Sequence, residues 1–162
     1  MIVAPEATEH HAAVRGLLAA AFPSPAEANL VARLRADGDA VIALVALDGA
    51  DVVGHVMLSR MTAPFRALGL APLAVAAHWR RQGIACRLVA EAIGHAAATG
   101  WDAIFVLGEP TYYRRFGFTA EDAAPFDSPY AGPNLMALIL NASGPPTRPG
   151  RVDYAPAFLA LG

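Results

Sequence analysis

Lysine is absent from this chain of 162 residues, and all twelve cationic side chains are arginine. The P-loop signature therefore fails for want of its lysine, and no G-x-G-x-x-G occurs, which sets aside two familiar nucleotide sites. Any anion held by side chains must be held by arginine, histidine or neutral donors. Cysteine is nearly absent too. Cys86 stands alone, which excludes an internal disulfide and fits a reducing cytoplasm. Long apolar runs are missing. The longest clean one, "VIALVAL", has strand length and falls far short of the roughly 18 residues of a membrane span. The mean hydropathy of +0.40 thus reflects alanine, and no membrane association is expected. "MIVAPEATEHH" has no basic segment leading into an apolar one, so no secretory signal is expected. The net charge of −2 argues against a general nucleic-acid binder. His10 and His11 point in different directions from a helix and match no metal spacing; they are expected to face solvent, and no metal is expected.

The length suits one domain with a sizeable core. "MIVA" reads as a short strand. Val14, Leu17, Leu18, Ala21 and Phe22 recur at helical spacing over residues 9–22. A second helix is expected from Ser24 as N-cap, with Pro25 first in the helix and Glu27 closing a capping box. "AVIALVALDGADVVGHVMLSR" predicts a hairpin turning at Asp48-Gly49. "LGLAPLAVAA" is a further strand, with an interruption at Pro72, which lacks a ladder donor. Residues 83–99 carry Ile84, Leu88, Ala92 and Ala96 on one helix face, and Gly100 is a stop. "DAIFVLG" is a buried strand and "PTYYRRF" a short helix. "GFTAEDAAPF" and "NLMALIL" read as two closing strands. "NASGPPTRPG" is a turn-rich connection, and "RVDYAPAFLAL" a final extended segment. The order β-α-α-β-β-β-α-β-α-β-β is that of an α/β (α+β) domain spanning residues 1–162.

The chemistry concentrates in "HWRRQGIACRLV", residues 78–89. A helix begins there directly after a strand, and its first N–H groups have no partner within the helix. Together with the helix dipole they favour an anion. Gly83 has no Cβ, so a ligand can approach the backbone, and Ala85 keeps the same surface nearly bare. Arg80 and Arg81 suit phosphate geometry.

"LAVAAHWRRQGIACRLV" resembles motif A of the GNAT superfamily of N-acetyltransferases, [Q/R]-x-x-G-x-[G/A] opening a long helix. Arg80-Arg81-Gln82-Gly83-Ile84-Ala85 fills it, with alanine in place of the commoner second glycine. "YYRRFGF" is similar to the (F/Y)-Y-x-x-x-G-F segment that follows the family's fifth strand. The element order fits the fold from residue 2 to about 140. The resemblance implies a mixed, mostly antiparallel central sheet splayed between its fourth and fifth strands and flanked by helices. The splayed strands would be Leu70–Val75 and Ala103–Leu107, with pantetheine in the gap. It implies acetyl-CoA as co-substrate. Backbone amides from Arg81 to Ala85 would hold the pyrophosphate. Leu73, Ala74, Val75, Arg80, Gln82, Cys86, Tyr112 and Phe116 would complete the acetyl-CoA site.

The implied activity is direct acetyl transfer to a primary amine, on a small molecule or a peptide, in a ternary complex. Tyr113 occupies the position of the acid that protonates the departing thiolate, since a phenol near pKa 10 is protonated at neutral pH. The amide near Val75 would contact the thioester oxygen. The base is less plain. Relatives place a glutamate or histidine on the strand before motif A, and "LGLAPLAV" has neither. Glu109, four residues before Tyr113, and Glu27 are weak candidates. His55 and His78 read as structural, and Cys86 as a small buried residue near the co-substrate rather than a nucleophile. A CoA-binding sensor without turnover and a transferase using another short acyl-CoA are the alternative readings. A homodimer is compatible with all of them.

Overall fold

The structure is a computed structural model that describes residues 1–141 and 150–161. Six strands form one sheet in chain order: β1 (Ile2–Pro5), β2 (Ala40–Asp48), β3 (Asp51–Arg60), β4 (Ala67–Val75), β5 (Ala103–Leu107) and β6 (Leu135–Ile139). Every neighbouring pair is antiparallel except β4 and β5, which run parallel. The helices are α1 (His11–Ala21), α2 (Ala26–Ala36), α3 (Ile84–Ala98) and two single turns, α4 (Pro110–Tyr113) and α5 (Ala120–Ala123). This is the mixed, mostly antiparallel α/β arrangement expected from the sequence. Among the described residues, no helix is long and apolar enough to cross a membrane.

Both faces of the sheet are covered. On one, α3 lays Leu88, Val89, Ala92 and Ala96 against Leu44, Val56, Leu58, Leu68 and Ile104. On the other, Val14 and Leu18 of α1 and Leu30 and Leu34 of α2 meet Val45, Met57 and Phe158. A fully buried leucine or valine contributes about 1.5–3 kcal/mol, so these stripes, more than helix propensity, fix where the helices dock. A third cluster gathers Phe105 and Phe126, with Phe65 against them, at the β5–β6 end.

Two irregularities in β4 shape the site. Val56 pairs with Leu73 and Leu58 with Leu70, so Met57 alone opposes Ala71 and Pro72. That bulge reverses which side chains of β4 face α3, at the proline where an interruption was expected. The pairing of β4 with β5 is also short. It comprises Ala67–Ala103, Leu68–Ile104 and Gly69–Phe105. Both strands continue past it, so a wedge-shaped gap opens beyond Gly69 and Phe105.

Several local expectations are corrected. The β2–β3 turn is Gly49-Ala50, one residue later than expected, with Gly49 at φ +59°. Pro25, not Ser24, is the N-cap of α2, and Glu27 makes no capping bond. Ser24 Oγ instead accepts from the Ala26 amide at 3.2 Å. The proline fits the half-in cap position and displaces the box by one residue. "GFTAEDAAPF" is not a strand. Thr119 caps α5 by accepting from the Asp122 amide at 3.1 Å, and only Thr119 bridges to β6, through Ala137. In the last segment, isolated bridges at Arg151 and Asp153 give way to a 3₁₀ turn over Pro156–Leu161. The predicted connection at 141–150 falls, over 142–149, outside the described residues. His10 and His11 are half-buried rather than free: His10 Nδ1 accepts from the Ala7 amide at 2.9 Å, and His11 Nε2 lies 4.0 Å from Glu6.

Glu6 ties three elements together. Arg35 of α2 donates to its Oε1 at 2.6 Å. His55, fully buried on β3, lies 3.4 Å away, within reach of its charge but not aligned as a hydrogen bond. Burial alone would push the Glu6 carboxyl up; the attraction of His55 and Arg35 outweighs it and holds the pKa at about 2.

Candidate active site

The turn from β4 into α3 folds back on itself at two left-handed residues, Arg81 at φ 64° and Gly83 at φ 80°. Gly83 is the N-cap of α3, and no side chain caps it. A Cβ built on Gly83 would meet nothing within 4 Å. The first amides of a fifteen-residue helix therefore border open space, where an anion can lie against the backbone. The cavity there measures about 410 Å³ and is lined by Val75, Trp79, Arg80, Arg81, Gly83, Ile84, Ala85, Cys86, Tyr112 and Arg115. Its positive side chains differ in freedom. Arg80 is anchored by Nε donation to the Val75 carbonyl at 3.2 Å, and Arg115 stacks over the Tyr112 ring with its guanidinium carbon 4.6 Å from the centroid. Gln82 is turned back to the His78 carbonyl at 3.3 Å.

Two tyrosines flank the β4–β5 gap, and each lies against a glycine. The Tyr154 ring covers Gly69, so closely that any Cβ there would collide with it, and Tyr113 does the same at Gly108, just past β5. Tyr113 stands edge-on to Phe118 and Tyr112. Burial pushes the pKa of the Tyr113 phenol up, so it keeps its proton at neutral pH. Tyr154 is raised by burial, with smaller contributions from Tyr130 and Tyr113. Its hydroxyl is buried and has no hydrogen-bond partner. A second cavity of about 210 Å³ opens beside it, walled by Leu70 and Ala71 of β4, Leu107 of β5, and Tyr130, Tyr154, Phe158 and Leu161. Leu70 and Val75 put the two cavities about 13 Å apart along β4, since the bulge leaves these residues spanning only four of β3.

The GNAT acetyltransferase domain model matches residues 39–120, a span from the start of β2 to the first residue of α5. The chain belongs to the GNAT acetyltransferase family. The uncharacterized N-acetyltransferase YhbS of Escherichia coli K12 is 41% identical to this GNAT chain over 109 residues, and that match covers 65% of each sequence. It thus spans just under two thirds of that relative's length. The crystal structure of YhbS in complex with CoA superposes with a TM-score of 0.93 at 31% identity, covering 99% of this chain and 93% of that one. A GNAT acetyltransferase from Brucella melitensis, solved with acetyl-CoA, gives 0.82 at 27% identity with 97% of both chains covered.

Within the GNAT fold the structure brings most of the sequence-predicted residues together. Val75, Arg80, Arg81, Gly83, Ile84, Ala85, Cys86 and Tyr112 line one cavity. Phe116 packs edge-on against Tyr112, and Leu73 and Ala74 lie on β4 on opposite faces. Cys86 is half-buried rather than buried, with Sγ 3.8 Å from the Tyr112 hydroxyl and 3.5 Å from Arg115 Nη1. The weak base candidates stand apart. Glu109 is exposed at the start of α4. Glu27 keeps Oε1 buried and without a hydrogen-bond partner, but neither glutamate lines either cavity. Tyr154, Phe158 and Leu161 were not found from the sequence. The signal for Tyr154 was Gly69, an interior strand glycine, which marks a close approach by something else.

Proposed function

We propose that this chain is an acetyl-CoA-dependent N-acetyltransferase that acetylates a primary amine by direct transfer in a ternary complex. One observation carries the reading. The β4–β5 ladder stops at Gly69–Phe105 while both strands run on, with an anion cradle at one end of the opening and a protonated phenol beside it. The unpaired edges of β4 and β5 need partners, and the amides of a pantetheine arm supply them. The site fits the co-substrate: the space over Gly83 that a side chain would fill is open, and arginines border it. Amides from Arg81 to Ala85 would hold the pyrophosphate; Val75 borders that cradle, so the thioester oxygen would meet a β4 amide nearer Gly69 instead. When bound, acetyl-CoA supplies the activated acetyl group.

Tyr113 then has a defined task. A new N–C bond forms as the C–S bond breaks, the amine loses one proton, and the sulfur gains one. The Tyr113 hydroxyl donates to the departing sulfur and is restored by the proton from nitrogen. Cys86 stays outside the reaction, its Sγ engaged with Tyr112 and Arg115. The reading is tested by calorimetric titration with acetyl-CoA together with a CoA-release assay over a panel of amines. Binding with turnover is expected. Binding without turnover of any amine would leave a CoA-binding sensor instead.

A further inference from the structure

We infer that the cavity at the apex of the β4–β5 gap is the acceptor subsite, and that its acceptor is an aromatic amine uncharged at neutral pH. The inference rests on the acetyltransferase reading and deepens it. Position comes first. Gly69 is the last residue of β4 paired with β5. Tyr154 lies on it, and Leu70 and Ala71, the next two residues, form the cavity wall. Whatever fills this space adjoins the point where the strands part and where the acetyl group must emerge.

Size and chemistry then narrow the occupant. A dry cavity of about 150 Å³ accommodates benzene, so 210 Å³ admits one ring and a small substituent. The wall is aliphatic and aromatic. Its polar side-chain groups are two phenols, and none of the wall residues carries a charge at neutral pH. An ammonium ion seated against this wall would lose part of its water and, among the described residues, gain no carboxylate, which is costly. Polyamines, aminoglycosides and lysine side chains are thereby disfavoured. The Tyr154 hydroxyl is buried and unpartnered, so a small turn of its ring toward the cavity would let it accept an N–H. Bound to it, an amine is held by its hydrogens and keeps its lone pair free for attack.

The same choice explains the missing base. From Leu70 to Val75 the strand has no ionisable side chain, and Glu27 and Glu109 do not line the cavity. An amino group conjugated with a ring shares its lone pair with that ring and carries no proton at neutral pH. It attacks as it stands. Its N–H proton leaves only as the N–C bond forms, and passes through Tyr113 to the sulfur, giving the acetamide and free CoA thiol.

The test uses the full chain and three probe classes: aniline and its ring-substituted relatives, phenethylamine, and spermidine with kanamycin. Anilines should show kcat/KM at least tenfold above the polycations, with a profile flat across neutral pH. The phenethylamine rate should rise about tenfold per pH unit below that amine's own pKa. Saturation-transfer NMR should detect aniline on the CoA-bound protein. Tyr154→Phe should raise the aniline KM about tenfold with acetyl-CoA affinity unchanged, and Ala71→Trp should fill the cavity and abolish the NMR signal. Preferred turnover of spermidine or kanamycin, or an aniline signal indifferent to both substitutions, overturns the assignment while the acetyltransferase reading stands. Failure of acetyl-CoA to bind in calorimetry overturns that reading and the assignment with it.

Discussion

At the scale of single residues, the site is a set of positions where side chains are either withheld or supplied. Gly83 withholds one. Its φ of +80° and the open space above it mean that Gly83→Val both strains the turn and puts a branched side chain where phosphate must approach. Acetyl-CoA should bind the folded variant at least tenfold more weakly by calorimetry, about 1.4 kcal/mol; equal affinity would remove the cradle from the site. Tyr113 supplies a proton. Tyr113→Phe keeps the ring against Gly108 and Phe118 and deletes one donor. General acid catalysis is worth about 10²–10⁴-fold, and thiolate is a tolerable leaving group, so kcat should fall near the lower end with acetyl-CoA affinity constant. Wild-type kcat in single-turnover measurements would assign the proton to water.

At the scale of elements, Glu6 links the end of β1 to α2 and to the middle of β3. Its carboxyl is held at about 2 against an ordinary value of 4.5. A group whose folded pKa is depressed contributes stability above its unfolded pKa and loses it as pH falls through the folded one. Wild-type stability should therefore decline between about pH 4.5 and 2, and that part of the slope should vanish in Glu6→Gln. The variant should be less stable at neutral pH, with up to about 3 kcal/mol at stake. Parallel urea titrations across that range would show whether the two curves converge in acid; curves that stay equally separated would mean the pair adds nothing. None of this was legible in the sequence, because Glu6, Arg35 and His55 meet only when the sheet and α2 are assembled. What was legible was local. Ile84, Leu88, Ala92 and Ala96 marked α3 by their spacing, and β5 was read to its exposed end at Leu107. The α2 capping box failed although its residues match, since Pro25 took the cap. Residues 117–126 read as a strand, yet Thr119 followed by Glu121 and Asp122 is a helix start, and the fold obeys it. Tyr154 and Phe158 lay beyond reach because they act through contacts with strands far away in the chain.

At the scale of the whole molecule, the co-substrate cradle exists only while the sheet, α3 and α4 are together. Val75 ends β4, Gly83 begins α3, and Tyr112 and Arg115 follow β5; the α3 core that holds these elements is shared with β2 and β3. The unfolded chain offers no such surface, so binding and unfolding are linked. At a ligand concentration one hundred times Kd the native state gains about 2.7 kcal/mol. For a chain of 162 residues each kcal/mol moves Tm by about 2–4 °C. Acetyl-CoA at that concentration should raise Tm by about 5–11 °C. Gly83→Val at the same concentration sits only tenfold above its own Kd, gains about 1.4 kcal/mol, and should show roughly half the shift. Tyr113→Phe, which acts on the chemical step, should keep the whole of it. Aniline alone should shift Tm only weakly, and a larger increment when added to CoA-bound protein would show the two cavities operating across one gap. If Gly83→Val shifted like the wild type, the phosphates would be held elsewhere on the surface, and the turn from Arg81 to Gly83 would have no part in binding them.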